Sequence, residues 1–138
     1  MTFITQTAIG KRDCLSVFGT DYHTPDGTAI RDYIHVVDLA QAHVIAIERL
    51  LNGKNKEKVE AFNLGTGIGY SVLDVIKSFE RTTKIKLNFK LVDRRPGDVE
   101  EIWADTKFAN NELGWKAQRD LDEMTLSAWN WEKRINEK

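Results

Sequence analysis

Two short runs carry the residues best suited to chemistry, Arg31-Asp32-Tyr33 and Arg94-Arg95-Pro96-Gly97-Asp98. Guanidinium groups are planar forked donors that can hold a diphosphate through two oxygens at a time. A carboxylate just past the Pro96-Gly97 turn can accept hydrogen bonds from ribose hydroxyls, as acids do in other nucleotide sites. Taken alone, the second run also reads as a solvated charged turn. Arg31 favours the anion site, because it gives a second cationic position in a chain with no basic excess. Side chains two apart in an extended segment point the same way, so Arg31 and Tyr33 are expected on one face, with Ile34 and Val36 alternating onto a core face.

Other candidates are weaker. Gly65-Thr66-Gly67-Ile68-Gly69, between a strand pattern and a helix pattern, imitates a dinucleotide-binding loop, but the third fingerprint glycine would fall at 70, where Tyr70 stands. A tight strand-to-helix connection is the preferred reading, with phosphate approach to the Ser71 helix start left open. His23, His35 and His43 lack the i, i+4 spacing of helical metal ligands, so no metal site is expected, and His43 reads as a packed helix residue. Trp103, Trp115, Trp129 and Trp131 suggest a stacking platform, yet their spacing fits strand and helix cores better. No Ser-His-Asp order, Gly-x-Ser-x-Gly elbow or paired-carboxylate spacing is present, and no self-sufficient catalytic set is found.

The elements that must position these residues follow from periodicity and caps. Phe3 to Ile9 has helical spacing and closes at Gly10, Leu15 to Phe18 is a short strand, and Gly19 to Gly27 is a turn-rich loop. Asp38 with Gln41 reads as a capping box opening a helix through Leu51, whose wide apolar surface calls for neighbours on two sides. Val59 to Leu64 reads as a buried strand. Ser71 and Asp74 cap a second helix with Val72, Val75, Ile76 and Phe79 as its stripe. Leu87 to Val92 and Val99 to Trp103 are further extended segments, and Lys107 to Leu113 is a brief helix ending at Gly114. Asp120 and Glu123 cap a last helix with Leu121, Met124, Ala128, Trp131 and Ile135 on one face before a charged tail.

Bulk properties narrow the function classes. A chain of 138 residues, 41% hydrophobic and 30% charged, suits one compact α/β domain. Its 20 basic and 21 acidic residues leave a net charge of -1, with no long-range field to concentrate nucleic acid or an anionic membrane. No stretch has the length of a membrane span, and no signal peptide follows Met1. The single Cys14 excludes an intrachain disulfide and suits a reducing compartment, so a cytoplasmic location is expected.

Several segments together resemble a known family. Leu15 to Leu39, with Val17-Phe18-Gly19, Asp26-Gly27-Thr28 and Arg31 to Leu39, is similar to the bacterial UDP-glucose 4-epimerases of the extended short-chain dehydrogenase/reductase superfamily. Phe62-Asn63-Leu64-Gly65-Thr66-Gly67, Arg94 to Asp98 and Glu112-Leu113-Gly114-Trp115 match in the same order and spacing. The resemblance implies that Arg31 and Arg95 hold a UDP diphosphate and that Asp98 bonds the ribose. It places the backbone of Ser16 and Phe18 against uracil, Tyr33 as a secondary residue of that pocket, and Ile102 near the sugar. Some members carry tyrosine at the position of Ile102, which would crowd an N-acetyl group, so the choice between plain and N-acetylated sugars stays open.

The same resemblance implies parts that the sequence lacks. The family reaction passes a hydride between sugar C4 and bound NAD, and needs a glycine-rich dinucleotide loop and a Tyr-x-x-x-Lys pair. No tyrosine here has a lysine four residues later. The expectation is therefore a C-terminal UDP-sugar-binding portion, residues 1–138 as a single region, without catalytic or NAD-binding residues and inactive alone. One helix, Leu39 to Leu51, and one strand, Val59 to Leu64, would belong to the sheet of an absent NAD domain. Their uncovered surface would promote self-association, and the parent enzyme is expected to be a homodimer. The alternatives are a non-catalytic nucleotide-binding module, or part of another nucleotide-sugar epimerase, dehydratase or decarboxylase.

Overall fold

The computed structural model describes residues 1–137; Lys138, the last of the charged tail, lies outside the described residues. Packing centres on helix α3 (Val72–Thr83). The Ser71 hydroxyl accepts from the Asp74 N–H at 3.0 Å and the Asp74 carboxylate accepts from the Ser71 N–H at 3.1 Å, which satisfies two of the donors a helix start leaves open. Val75, Ile76 and Phe79 form its buried stripe. Against it lies α5 (Leu121–Asn136), begun by the same device from Asp120 and Glu123 and contributing Leu121 and Met124. Trp129 meets Phe79 edge-on at 5.9 Å. Ile4 of α1 (Thr2–Ala8), Leu15, Val17 and Leu87 complete this core.

Polar groups inside the contacts of α5 with α3 and with α1 are paired. The Ser78 hydroxyl donates to Asp122 at 2.6 Å and meets the Thr125 hydroxyl at 3.1 Å. Buried Glu132 accepts from Lys11 at 3.1 Å and from Thr5 at 3.0 Å, and the Lys11 bond leads in holding its carboxyl below the usual range.

Two small sheets flank this core. Strand β1 (Leu15–Phe18) pairs in parallel with β4 (Phe89–Val92). In the other sheet β2 (Ile30–Asp32) is central, antiparallel to β3 (Gly69–Ser71) and parallel to β5 (Glu101–Ile102). The loop into β2 is fixed by Asp26, which accepts from the Thr28 N–H at 2.9 Å, the Thr28 hydroxyl at 2.7 Å and the Ser71 hydroxyl at 2.5 Å. Its turn needs Gly27: φ is 77°, and a Cβ there would stand 2.3 Å from the Thr20 carbonyl oxygen. Helix α4 (Lys107–Leu113) ends on left-handed Gly114, with Trp115 buried directly after it.

Several sequence expectations are corrected. Helix α2 (Val36–Leu51) is capped by His35, not Asp38. The His35 Nδ1 accepts from the Val37 N–H at 3.1 Å, which leaves Nε2 to donate to the Ser127 hydroxyl at 2.9 Å in the neutral ring. Asp38 is fully buried and accepts from the Gln118 and Arg119 N–H groups and the Arg119 guanidinium. Burial opposes its charge, but these donors outweigh burial and hold the carboxyl below the usual range. Val36, expected on the core face, is 72% exposed because the chain turns helical there.

Val59 to Leu64 forms no strand: no neighbouring strand is hydrogen-bonded to it, and Val59 is exposed. The segment is held instead by charge. Arg49 of α2 donates to both oxygens of Glu60 at 2.8 and 2.9 Å and reaches the Glu112 carbonyl of α4 at 3.0 Å. Val44, Ile47, Leu50 and Leu51 of α2 are exposed, and only Asp38 and Ala42 of that helix are buried. His43 is likewise exposed and bonds within its own helix to the Leu39 carbonyl. Trp131 and Ile135 are exposed because α5 turns Thr125, Trp129 and Glu132 inward, and Trp103 is exposed beside β5.

Candidate functional site

Arg31 sits in the central strand, opposite Tyr70 of β3 and Ile102 of β5. Its guanidinium donates to the Ile30 carbonyl at 2.7 Å and the Glu100 carbonyl at 3.4 Å, and through its second terminal nitrogen to Asp98 Oδ1 at 3.2 Å. Arg95 reaches Asp98 Oδ2 with both Nε, at 3.2 Å, and a terminal nitrogen, at 3.1 Å. One carboxylate therefore gathers two guanidinium groups, one from 67 residues and one from 3 residues earlier in the chain, leaving a local excess of one positive charge. The Asp98 side chain is 16% exposed, and those of Arg31 and Arg95 are 26% and 59% exposed, so the cluster opens to solvent on the Arg95 side.

Strand β1, paired in parallel with β4, ends beside this cluster at Phe18. The Arg95 guanidinium stacks 4.7 Å above the Phe18 ring, at the end of β1. Ser16, two residues earlier on the same strand, pairs with Lys90 and is half-buried. Arg94 is committed elsewhere: it bonds Asp21 at 2.7 Å, lies 4.0 Å over the Tyr22 ring, and leads in holding the Asp21 carboxyl below the usual range.

Ile102 is 54% exposed beside Arg31. Tyr33 is the outlier. Strand β2 ends at Asp32, so strand alternation does not carry Tyr33 onto the Arg31 face. It lines an apolar groove of about 560 Å³ with Met1, His35, Val37 and Trp131, and burial pushes its phenol up.

Asp32, to which the sequence assigns no role within the Arg31-Asp32-Tyr33 run, organises the neighbouring loop. Its carboxylate accepts from the Thr66 N–H at 2.9 Å, the Thr66 hydroxyl at 2.7 Å, the Gly67 N–H at 3.0 Å and the Ala104 N–H at 3.2 Å. The available signal was alternation: an acid between Arg31 and Tyr33 points to the opposite face, where a Gly-Thr-Gly turn can supply N–H groups.

These bonds test the glycine loop as a dinucleotide site, and it does not fit. The Thr66 and Gly67 N–H groups that a phosphate would need are already taken by a carboxylate. A Cβ at Gly65 would stand 2.3 Å from Asp32 Oδ2, so this glycine admits the aspartate and not a pyrophosphate. The start of α3 is no better for an anion, because Asp26 and Asp74 both bond Ser71 there. Among the described residues no cluster of His, Cys, Asp and Glu could hold a metal, and no helix is long and apolar enough to cross a membrane.

The chain is 50% identical over 134 residues to the UDP-glucose 4-epimerase of Drosophila melanogaster, covering 97% of this chain and 38% of that protein. It is 50% identical over 132 residues to the UDP-glucose 4-epimerase of Bacillus subtilis (strain 168), covering 96% of this chain and 38% of the relative. Among solved structures, UDP-glucose-4-epimerase from Stenotrophomonas maltophila with bound NAD and formylated UDP-arabinopyranose superposes with a TM-score of 0.93 at 44% identity, over 99% of this chain and 40% of that one. The Bifidobacterium longum enzyme in complex with NAD+ and UDP gives 0.89 at 45% identity, over 96% and 38%. The chain thus spans about two fifths of the length of these relatives, and its α/β architecture is that of part of an extended short-chain dehydrogenase/reductase. The family described as GDP-mannose 4,6 dehydratase matches residues 1–127, and the chain belongs to that family.

Proposed function

We propose that the chain is the C-terminal, UDP-sugar-binding part of a UDP-glucose 4-epimerase, an isomerase of galactose metabolism that interconverts UDP-glucose and UDP-galactose. The observation that carries this reading is the convergence of Arg31 and Arg95 on Asp98, beside Phe18, in a chain half identical to such epimerases. In this reading the two arginines hold the diphosphate and Asp98 the ribose. The backbone of Ser16 and Phe18 faces uracil, Ile102 stands on the sugar side, and Tyr33 keeps a secondary place.

Hydride transfer with NAD falls to the rest of the whole protein. No tyrosine here has the lysine four residues later, and the glycine loop is committed to Asp32. The isolated chain is accordingly expected to be inert toward UDP-glucose. A cytoplasmic setting fits the free thiol of Cys14, and the exposed apolar face of α2 fits a helix covered by the rest of the whole enzyme, itself read as a homodimer. Nothing in the charge balance favours nucleic acid.

A second reading, a nucleotide-binding module without catalysis, is favoured by one feature: both arginines reach Asp98 within this chain alone. Calorimetry with UDP tests the site common to both. Binding that falls at least about tenfold in both Arg31→Ala and Arg95→Ala, the scale of a lost charge-assisted hydrogen bond, is the expected result. UDP binding indifferent to both substitutions would overturn it. NMR of UDP-glucose incubated with the chain, with and without added NAD, should show no UDP-galactose.

A further inference from the structure

We propose that Asp98 is an internal stand-in for the ligand's diphosphate, and that by taking side-chain donors of both arginines it makes the site select nucleoside diphosphates over bare pyrophosphate. The proposal rests on the reading of Arg31 and Arg95 as the diphosphate-holding pair. Asp98 Oδ1 takes Arg31 at 3.2 Å and Oδ2 takes Arg95 at 3.1 and 3.2 Å. Arg31 gives the carboxylate one terminal nitrogen and Arg95 gives it Nε and a terminal nitrogen, and these are donors that phosphate oxygens could take in its place. Arg31 is also tied to the Ile30 and Glu100 carbonyls, so its guanidinium stays put when the carboxylate lets go. Arg95 rests on Phe18 and is mostly exposed, so it can re-aim.

The consequence is a competition between anions. An incoming diphosphate that takes these donors leaves a largely buried carboxylate, its side chain 16% exposed, beside new negative charge. That is unfavourable unless new donors reach Asp98. A nucleoside diphosphate brings them as ribose hydroxyls on the molecule whose phosphates displaced the arginines. Inorganic pyrophosphate brings none, and it meets the full repulsion of Asp98. Selection therefore comes from a group that penalises the incomplete ligand, beyond any contact that rewards the complete one.

The test uses the full chain, calorimetry at low salt, and two ligands, UDP and inorganic pyrophosphate. Asp98→Asn removes the charge and keeps a shape able to accept from ribose, and Asp98→Ser is a second replacement; thermal melts identify which variant keeps the wild-type fold. The expected result is a gain of about tenfold in pyrophosphate affinity, the order set by one charge a few ångströms away in a half-exposed site. UDP affinity should stay level or fall. A rise of pyrophosphate binding from undetectable to measurable counts in the same direction.

Parallel weakening of both ligands, or no pyrophosphate gain in a folded variant, would mean that Asp98 only holds the arginines in place, and the proposal fails while the diphosphate reading stands. If Arg31→Ala and Arg95→Ala leave binding of both ligands unchanged, the reading beneath it fails as well.

Discussion

Replacing Asp32 by asparagine keeps the size of the side chain and removes one of its two acceptor oxygens. The carboxylate receives four donors, three of them backbone N–H groups of Thr66, Gly67 and Ala104. In Asp32→Asn the remaining oxygen can serve about half of them, while the new NH2 group faces the others, donor against donor. Hydrogen bonds to a charged group contribute about 1.5–3 kcal/mol each, and the partial exposure of Gly67 and Thr66 lets water recover part of that. The expected loss of stability is about 2–4 kcal/mol, or a fall in Tm of roughly 10 °C for a chain of this length. Urea unfolding followed by circular dichroism, with the m-value unchanged, reads the global effect. Amide exchange adds a local one: the Thr66 and Gly67 N–H groups should exchange faster by more than the global loss explains. A change under about 0.5 kcal/mol with loop protection intact would refute the view that Asp32 organises this loop.

Further outcomes follow from other contacts. Phe79→Ala empties the centre of the α3–α5 packing, where Phe79 is fully buried against Trp129, and should cost about 3–5 kcal/mol in a denaturant melt. Glu60 is held at about 2, first by its Arg49 side-chain bond and then by the Lys56 N–H, against an ordinary 4.5. A depressed carboxyl stabilises the folded state above about pH 4.5 and loses that effect as pH falls toward 2, so stability curves of wild type and Glu60→Gln should converge over that window. The exposed Val44, Ile47, Leu50 and Leu51 of α2 should drive concentration-dependent self-association, visible in analytical ultracentrifugation and reduced in Ile47→Lys/Leu50→Lys. A monomer across the whole concentration range would contradict this.

What could be read from the sequence was mostly local in origin. The starts of α3 and α5 are written in capping boxes spanning four residues, and the end of α4 in Gly114, so each was found where it forms. The start of α2 was misplaced because Asp38 looks like a cap locally, while its real partners are Gln118 and Arg119, some 80 residues away. Val59 to Leu64 has the composition of a strand, but a strand exists only with a neighbour to complete its ladder. Trp131 fitted a helical stripe at that spacing, yet rotation of α5 about Leu121 and Met124 favours Trp129 and Glu132 instead. At the site, guanidinium chemistry points to Arg31, Arg94 and Arg95 alike and the family resemblance to Arg31 and Arg95, but their meeting at Asp98 depends on how the Arg94 to Asp98 loop closes onto strand β2, which no local pattern encodes.

The parallel register of β2 with β5 sets Arg31 directly beside Ile102. Neighbouring strands lie about 4.8 Å apart, and backbone hydrogen bonds hold that spacing whatever side chains stand on the strands. The sheet thus works as a gauge, with its zero mark at the charged end and its next graduation at residue 102. Substitutions at 102 can change the bulk and polarity beside Arg31 without shifting the zero mark. Slippage of β5 by one residue would instead move Glu101 or Trp103 onto that graduation and recalibrate everything the site measures.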